Sequence, residues 1–429
     1  MPEQESIGRR VQGRIYREGV FGRRPVVPVE PAALERAARR KLDERAWAYL
    51  SGSAGQQRTD LANRAGFDDV AIVPRMLVDV STRDLRVELL GRELPAPLLL
   101  APIGVLELAH PDAELEQAKG IRDLGLPVII SSQASVPMER TAAALGPCPR
   151  WFQLYWSSDD ALVESFVRRA EAIGSEAIVV TLDTQTLGWR TKDLDLGSLP
   201  FTRGEGIANY TSDPVFRRLV EARVAQAAST GAPAEPGPRP TPAAVRAALS
   251  MARHWPGGLR GNLRSPLPRA AVETFLDVFS RPSLTWDDLR TLRELTSLPV
   301  LLKGIQHPDD AARALDHGVE GIVVSNHGGR QVDGAIASIR ALPAAVQRVA
   351  GRVPVLFDSG IRSGADVYKA LALGADAVLV GRPWAYGLAL RGAAGARAVM
   401  EHLLAELDLT MALSGVTSIE QIRQSELAP

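Results

Sequence analysis

Short apolar runs recur along the chain at residues 96–102, 127–132, 151–155, 177–183, 299–303, 321–325, 353–358 and 375–381, each leading into a polar or glycine-containing turn. Most are rich in Val, Ile and Leu and lack polar alternation, the pattern of strands covered on both faces. Between them, residues 112–124, 157–173, 286–296, 308–317 and 364–373 carry apolar residues at helical spacing. Repeated strand–helix units predict an α/β fold with a parallel sheet, and eight of them predict a (β/α)8 TIM barrel. A doubly wound sheet is the competing architecture. The number of units and the polar residues at most strand ends favour the barrel.

Three regions fall outside this rhythm. Residues 1–90 read as an N-terminal extension with a helical preamble at 31–50, packed on the barrel. Residues 191–284 interrupt the repeat between the fourth and fifth runs, inside a barrel spanning 91–390. A long excursion from the C-terminal rim of a barrel predicts a lid over its mouth. The Ala-, Pro- and Gly-rich part of it, 225–247, is expected to be loosely ordered. A helical tail, 391–429, closes the chain, with an amphipathic stretch at 401–413.

Composition narrows the function. Lys+Arg and Asp+Glu are both 50 in 429 residues, so no basic excess invites nucleic acid. Cys148 is the single cysteine, which excludes an internal disulfide and a cysteine metal cluster and leaves a buried, inert thiol. No apolar run reaches the ~18 residues of a membrane helix, and the N-terminus lacks a secretory pattern, so a cytoplasmic protein without a membrane partner is expected.

The candidate chemistry lies at the ends of the predicted strands, where barrel active sites are built. There the chain carries Gln153 and Tyr155, Thr181 and Asp183, Lys303, His327 and Arg330, the run Asp358-Ser359-Gly360-Ile361-Arg362, and Gly381-Arg382. His327 and Arg330, in Ser325-Asn326-His327-Gly328-Gly329-Arg330-Gln331, put a base beside a cation. Oxidation of a 2-hydroxy acid needs that pairing, one group for the hydroxyl proton and one for the carboxylate. Gly360, Arg362, Gly381 and Arg382 follow strands seven and eight, where barrels commonly hold phosphate. Lys303 is suited to negative charge on a reduced flavin. The histidines other than His327 read as solvated or capping.

These residues carry a resemblance. Trp151-Phe152-Gln153-Leu154-Tyr155, Leu182-Asp183-Thr184 with Arg190, Leu302-Lys303-Gly304, and the runs 325–331 and 358–364 resemble the FMN-dependent 2-hydroxy acid oxidase family, over residues 31–413. Within it, Ala101-Pro102-Ile103-Gly104-Val105, Leu187-Gly188-Trp189-Arg190, Asn209-Tyr210 and the run 303–310 are most similar to the lactate 2-monooxygenase branch. The resemblance implies FMN as cofactor, a 2-hydroxy acid and O2 as reactants, no metal, and a homo-oligomer, tetramer or octamer. It implies that His327 is the base, Asp183 its partner, and Arg190, Arg330 and Tyr49 the carboxylate site. Tyr155 serves the hydroxyl, and Tyr210 closes over the acid from the lid. Ala101, Pro102 and Ile103 back the flavin, Ser131, Gln153 and Thr181 meet its polar edge, and Lys303, Ser325 and Asp358 complete its surroundings. Gly104 leaves room for the substrate side chain, with Gln133, Leu187 and Trp189 lining the pocket. Three turnovers stay open: release of keto acid and peroxide, decarboxylation of a retained keto acid, or transfer to a quinone or protein. A flavin-free phosphosugar barrel is the alternative from another class.

Overall fold

A computed structural model describes residues 6–230 and 241–429. At its centre eight parallel strands close into a barrel: β1 (Leu98–Leu100), β2 (Val128–Ser131), β3 (Arg150–Leu154), β4 (Ile178–Thr181), β5 (Val300–Ile305), β6 (Gly321–Val324), β7 (Val355–Phe357) and β8 (Ala377–Val380). They pair in chain order, and β8 returns to β1 through Val378 beside Leu98 and Val380 beside Leu100. The (β/α)8 expectation holds.

Side-chain alternation accounts for the unbroken apolar runs. Leu99, Ile129, Trp151, Val179, Leu301, Val323, Leu356 and Leu379 form one buried cluster, together with Val87, Leu89 and Leu94 of a short hairpin. Their neighbours Leu98, Leu100, Ile130, Phe152, Val180, Ile322, Val324 and Val378 belong to the larger cluster shared with the helices. Each strand therefore buries both faces, one inside the barrel and one under its helical jacket.

The helices Ala113–Ile121, Asp160–Ala172, Asp288–Leu295, Pro308–Asp316 and Gly364–Ala372 lie where the pattern predicts them. Two jacket helices were not legible. Met138–Leu145 has only eight residues and follows Pro137, and Ser338–Val349 carries Pro343 in its interior, where proline ordinarily marks a break. The preamble is two helices, Pro31–Lys41 and Glu44–Ser51, the second capped by the Asp43 carboxylate on the Ala46 amide at 2.8 Å. The closing helix is the end of a longer run, Arg382–Ser414, kinked at Arg391 and Gly392.

Loose order at 225–247 is overturned on both flanks. Residues up to 230 end the helix Pro214–Thr230, and those from 242 begin Pro242–His254. Alanine favours helix, Pro242 sits in the first turn, and Thr241 caps the Ala244 amide at 3.1 Å. The remaining part, 231–240, lies outside the described residues. Among the described residues no helix is long and apolar enough to cross a membrane.

The N-terminal extension is tied to the C-terminal run by a buried ion pair. The Asp408 carboxylate lies 2.8 Å from Arg83 Nε and accepts the Gly8 amide at 2.9 Å. Asp408→Ala would strand both donors, so a stability loss of about 3–5 kcal/mol is expected. The check is the urea unfolding midpoint, and an unchanged midpoint contradicts the assignment.

Candidate active site

Two residues beyond the apolar layer, the same inward alternation brings Ala101, Ser131, Gln153, Thr181, Lys303, Ser325, Asp358 and Gly381 to the C-terminal ends of the strands. Strand register sets Ser131 beside Gln153 and Thr181 beside Lys303. The Ser131 hydroxyl donates to Gln153 Oε1 at 2.8 Å, and Gln153 Nε2 donates to Thr181 Oγ1 at 3.2 Å. One cavity at this rim is lined by Ala101, Pro102, Ile103, Gly104, Ser131, Gln153, Thr181, Lys303, Asp358, Gly360, Arg362, Gly381 and Arg382, and also by Tyr49, Tyr155, Arg190, His327 and Arg330.

The turn after β6 shapes the centre of the site. His327 adopts a positive φ of 58°, followed by Gly328 and Gly329. Only glycine fits at 329, because a Cβ there would lie 2.6 Å from the Asp60 amide nitrogen. His327 Nδ1 sits 2.6 Å from Asp183 Oδ1, which also accepts the Thr184 hydroxyl at 2.9 Å. Lys303 Nζ lies 3.0 Å from Asp358 Oδ2 and 3.8 Å from Asp183 Oδ2. Burial alone would raise the Asp183 carboxyl, but His327 and Lys303 hold it at about 2. Burial would likewise strip the charge from Lys303, yet Asp358 and Asp183 outweigh it and raise its pKa. For His327 burial wins over Asp183 and pushes the imidazole below its ordinary value. The ring is therefore neutral at neutral pH, with Nδ1–H donated to Asp183 and the Nε2 lone pair available to a proton.

Opposite this base stand two cations. Arg330 stacks on Tyr49, its Cζ 5.0 Å from the ring centroid, and donates to the Gly52 carbonyl at 2.8 Å. Burial and the neighbouring Arg190 push Arg330 down to about 9, still protonated at pH 7. Arg190 Nη2 donates to Gln331 Oε1 at 3.1 Å. Gln331 Nε2 in turn donates to the carbonyls of Asp183 at 2.7 Å and Thr186 at 3.0 Å. That amide ties the loop after β4 to the loop after β6 and fixes Arg190 between them. Two guanidinium groups in one buried volume favour an anion between them.

A second cationic corner lies after β7. Arg362 Nη1 donates to the Ile361 carbonyl at 2.8 Å, while its buried Nε and Nη2 have no partner among the described residues. A buried guanidinium edge of this kind is built for an anionic oxygen. Arg382 differs from expectation. Its guanidinium donates to Asp60, Ser53 and the carbonyls of Leu50, Gly52 and Gly328, so the side chain is engaged chiefly in fastening the N-terminal extension.

Three further expectations change. Ser325 is fully buried and does not line the cavity; its hydroxyl accepts Lys303 Nζ at 2.8 Å and the His327 amide at 3.0 Å. Tyr210 does not close over the cavity either. It is fully buried with its ring edge-on to Phe166 at 4.9 Å and Phe275 at 4.8 Å, a packing that outcompetes exposure at the mouth. Trp189 is 72% exposed, whereas Gln133 and Leu187 do line the cavity. A Cβ on Gly104 would meet Gln133 Cβ at 3.0 Å, so the two share one wall. Phe201 and Phe279, the apolar walls contributed by the insertion, were missed because nothing local marks them. Thr184 also lines the site, and its position beside Asp183 in the sequence was the signal for it.

Comparison with known proteins identifies the family. Residues 38–429 match the family model described as FMN-dependent dehydrogenase. An FMN-dependent alpha-hydroxy acid dehydrogenase of Penicillium citrinum is 42% identical over 409 residues, 95% of this chain and 92% of the relative. An L-lactate oxidase of Lysinibacillus sphaericus is 39% identical, over 92% of each chain. The crystal structure of a mandelate oxidase superimposes with a TM-score of 0.74 at 35% identity, covering 94% of this chain and 99% of the other.

The electrostatics make a direct prediction. An NMR titration of the imidazoles should find His327 with a midpoint below the ordinary histidine value, and Asp183→Asn should lower it further by removing the charge that favours the imidazolium. A midpoint above the ordinary value contradicts the neutral base.

Proposed function

Because the chain belongs to the FMN-dependent dehydrogenase family and so oxidises a 2-hydroxy acid with bound FMN, we propose that its substrate is a small, lactate-like L-2-hydroxy acid and its electron acceptor O2. The observation carrying this reading is His327, held by Asp183 at Nδ1, in one cavity with Arg190 and Arg330. The buried, unpartnered edge of Arg362 fits the cofactor phosphate, and Lys303 gives the ring end of the cavity a cation. Ala101, Pro102, Ile103, Ser131, Gln153, Thr181, Asp358, Gly360 and the Gly381 and Arg382 backbone complete the cofactor site in this reading. FMN, when bound, supplies a two-electron acceptor for the hydrogen leaving C2. The protein residues do the rest. Arg190 and Arg330, with Tyr49, hold the carboxylate in one orientation, Tyr155 donates to the oxygen on C2, and His327 Nε2 accepts the hydroxyl proton. Asp183 stabilises the imidazolium so formed.

For the oxygen half of turnover, we propose decarboxylation of the retained keto acid. Support comes from the insertion, which contributes Phe201 and Phe279 to the cavity wall, and from the sequence resemblance of residues 101–105, 187–190 and 303–310 to the lactate 2-monooxygenase branch. Keto acid and hydrogen peroxide then become the shortened acid, CO2 and water. The competing reading, an oxidase releasing keto acid, is favoured by the similarity to an L-lactate oxidase.

Product analysis separates them: acetate and CO2 from lactate under oxygen are expected, and stoichiometric pyruvate with free peroxide would refute decarboxylation. His327→Gln should slow anaerobic bleaching of the flavin by lactate about 10²–10⁴-fold; bleaching at the parental rate removes His327 as base. Arg362→Ala should weaken FMN binding to the apoprotein by about tenfold or more, measured by quenching of flavin fluorescence, and unaltered affinity would place the phosphate elsewhere.

A further inference from the structure

The insertion is fastened to the barrel by an ion pair that the site chemistry does not use. Glu107, on the short 3-10 turn Leu106–Leu108, follows the cavity-lining segment that ends at Gly104. Its Oε2 lies 2.7 Å from His254 Nε2, at the end of the insertion helix Pro242–His254, and its Oε1 accepts the Gly206 amide at 2.9 Å. The other ring nitrogen of His254 is 2.8 Å from the Ser250 carbonyl. Both ring nitrogens thus lie near acceptors, an arrangement that favours the imidazolium, with the Ser250 hydroxyl also 3.4 Å from Nδ1. The histidine does not titrate as a solvated residue, contrary to the sequence expectation.

The clamped turn packs directly behind the cavity wall. Phe201 lines the cavity, and the chain from it reaches Gly206, where a Cβ would lie 2.5 Å from Val105 Cγ2 and 3.2 Å from the Gln133 carbonyl. The insertion therefore rests without a gap on the loops that carry Gly104 and Gln133. Among the described residues, neither Glu107 nor His254 hydrogen-bonds to His327, Asp183, Arg190 or Arg330; their partners are Ser135, Gly206, Ser250 and each other.

We propose that the Glu107–His254 pair is a clamp that sets how long the keto acid stays in the cavity, and thereby the partition between its release and its decarboxylation. The partition rests on the decarboxylating turnover proposed above. In that step a peroxide oxygen bonds to the keto carbon, the bond to the carboxylate carbon and the O–O bond break, and CO2 and water leave. The peroxide comes from O2 reduced during oxidation of the hydroxy acid. Glu107 and His254 are positioning residues: they touch neither substrate nor cofactor.

The clamp is also sensitive to pH. His254 faces Glu107 and Glu205, with Arg203 and Arg45 beside Glu205, and Glu114 stands behind Glu107 through the Ser135 amide. Burial would lower the His254 pKa, but Glu107 raises it above the ordinary value. The clamp holds below that raised pKa and weakens as pH climbs through it.

The test uses holoenzyme carrying Glu107→Gln, His254→Ala, or both. Three rates are compared: anaerobic flavin bleaching by lactate, pyruvate release from the bleached enzyme trapped by an NADH-linked dehydrogenase, and hydrogen exchange at the Gly206 amide. Each single variant should speed release about tenfold, the worth of one charge-assisted hydrogen bond, and raise exchange, with bleaching held within about twofold. The double variant should add little to either single one. Release should quicken with rising pH in the parent and lose that dependence in both variants. Under oxygen, product should shift from acetate to pyruvate and peroxide. Release at the parental rate in both single variants, or release and bleaching changing in equal proportion, overturns the clamp. A parent enzyme that makes pyruvate and no acetate overturns the partition, and the release rates still decide the clamp.

Discussion

Side chains in a closed parallel barrel alternate between interior and jacket, and the interior holds only what its sealed layers allow. In this protein the inner layer of Leu99, Ile129, Trp151, Val179, Leu301, Val323, Leu356 and Leu379 is apolar and dry. One inward step further along the same strands stand Ala101, Ser131, Gln153, Thr181, Lys303, Ser325, Asp358 and Gly381. A further step from three of them brings Tyr155, Asp183 and His327. These strand-end residues of the cavity are thus two successive tiers of one repeat, resting on a hydrophobic floor, while Tyr49, Arg190, Arg330 and Arg362 join them from a helix and loops. A one-residue slip in any strand would turn its site residue toward the helices.

That geometry gathers charges in a buried place, and their pairing makes the place tolerable. Lys303 lies between Asp183 and Asp358, and Asp183 also holds His327. Across the cavity, among the described residues, Arg190 donates to the Gln331 amide oxygen and the Arg330 carbonyl, and Arg330 to carbonyls while stacking on Tyr49, so the one buried carboxylate of Asp193 near both leaves the pair with positive charge in excess. A base of lowered pKa and this positive charge in one cavity suit a molecule that brings its own negative charge and a removable proton. The N-terminal extension and the insertion wall off this field from water with Tyr49, Leu50, Phe201 and Phe279. Low dielectric strengthens the attraction of the arginines for a carboxylate.

Much of this was legible along the chain. Strands buried on both faces write uninterrupted Val, Ile and Leu, and their ends write the polar residues of the mouth, so the barrel and His327, Asp183, Lys303 and Arg330 could be read locally, whereas Arg190, far from a strand end, was legible only through the family resemblance. Helix boundaries were less legible where local signals conflict, as at Pro343 inside Ser338–Val349. The Ala-rich flanks of 225–247 misled in the other direction, because the same composition that suggests loose chain also favours helix.

The sequence alone determined the barrel, the tier of strand-end residues and the base–cation pair, because the first two follow from a two-residue period confined to single strands and the third from one short glycine turn. Tertiary structure alone decided what the insertion and the N-terminal extension do with their side chains. Phe201 and Phe279 reach the cavity while Tyr210 is drawn into an aromatic cluster, and Arg382 spends its guanidinium on the N-terminal extension instead of on the cavity. Glu107 and His254 meet across 147 positions of sequence. No local period encodes such contacts. They depend on how separate elements pack around a finished barrel, and only the folded chain brings their partners together.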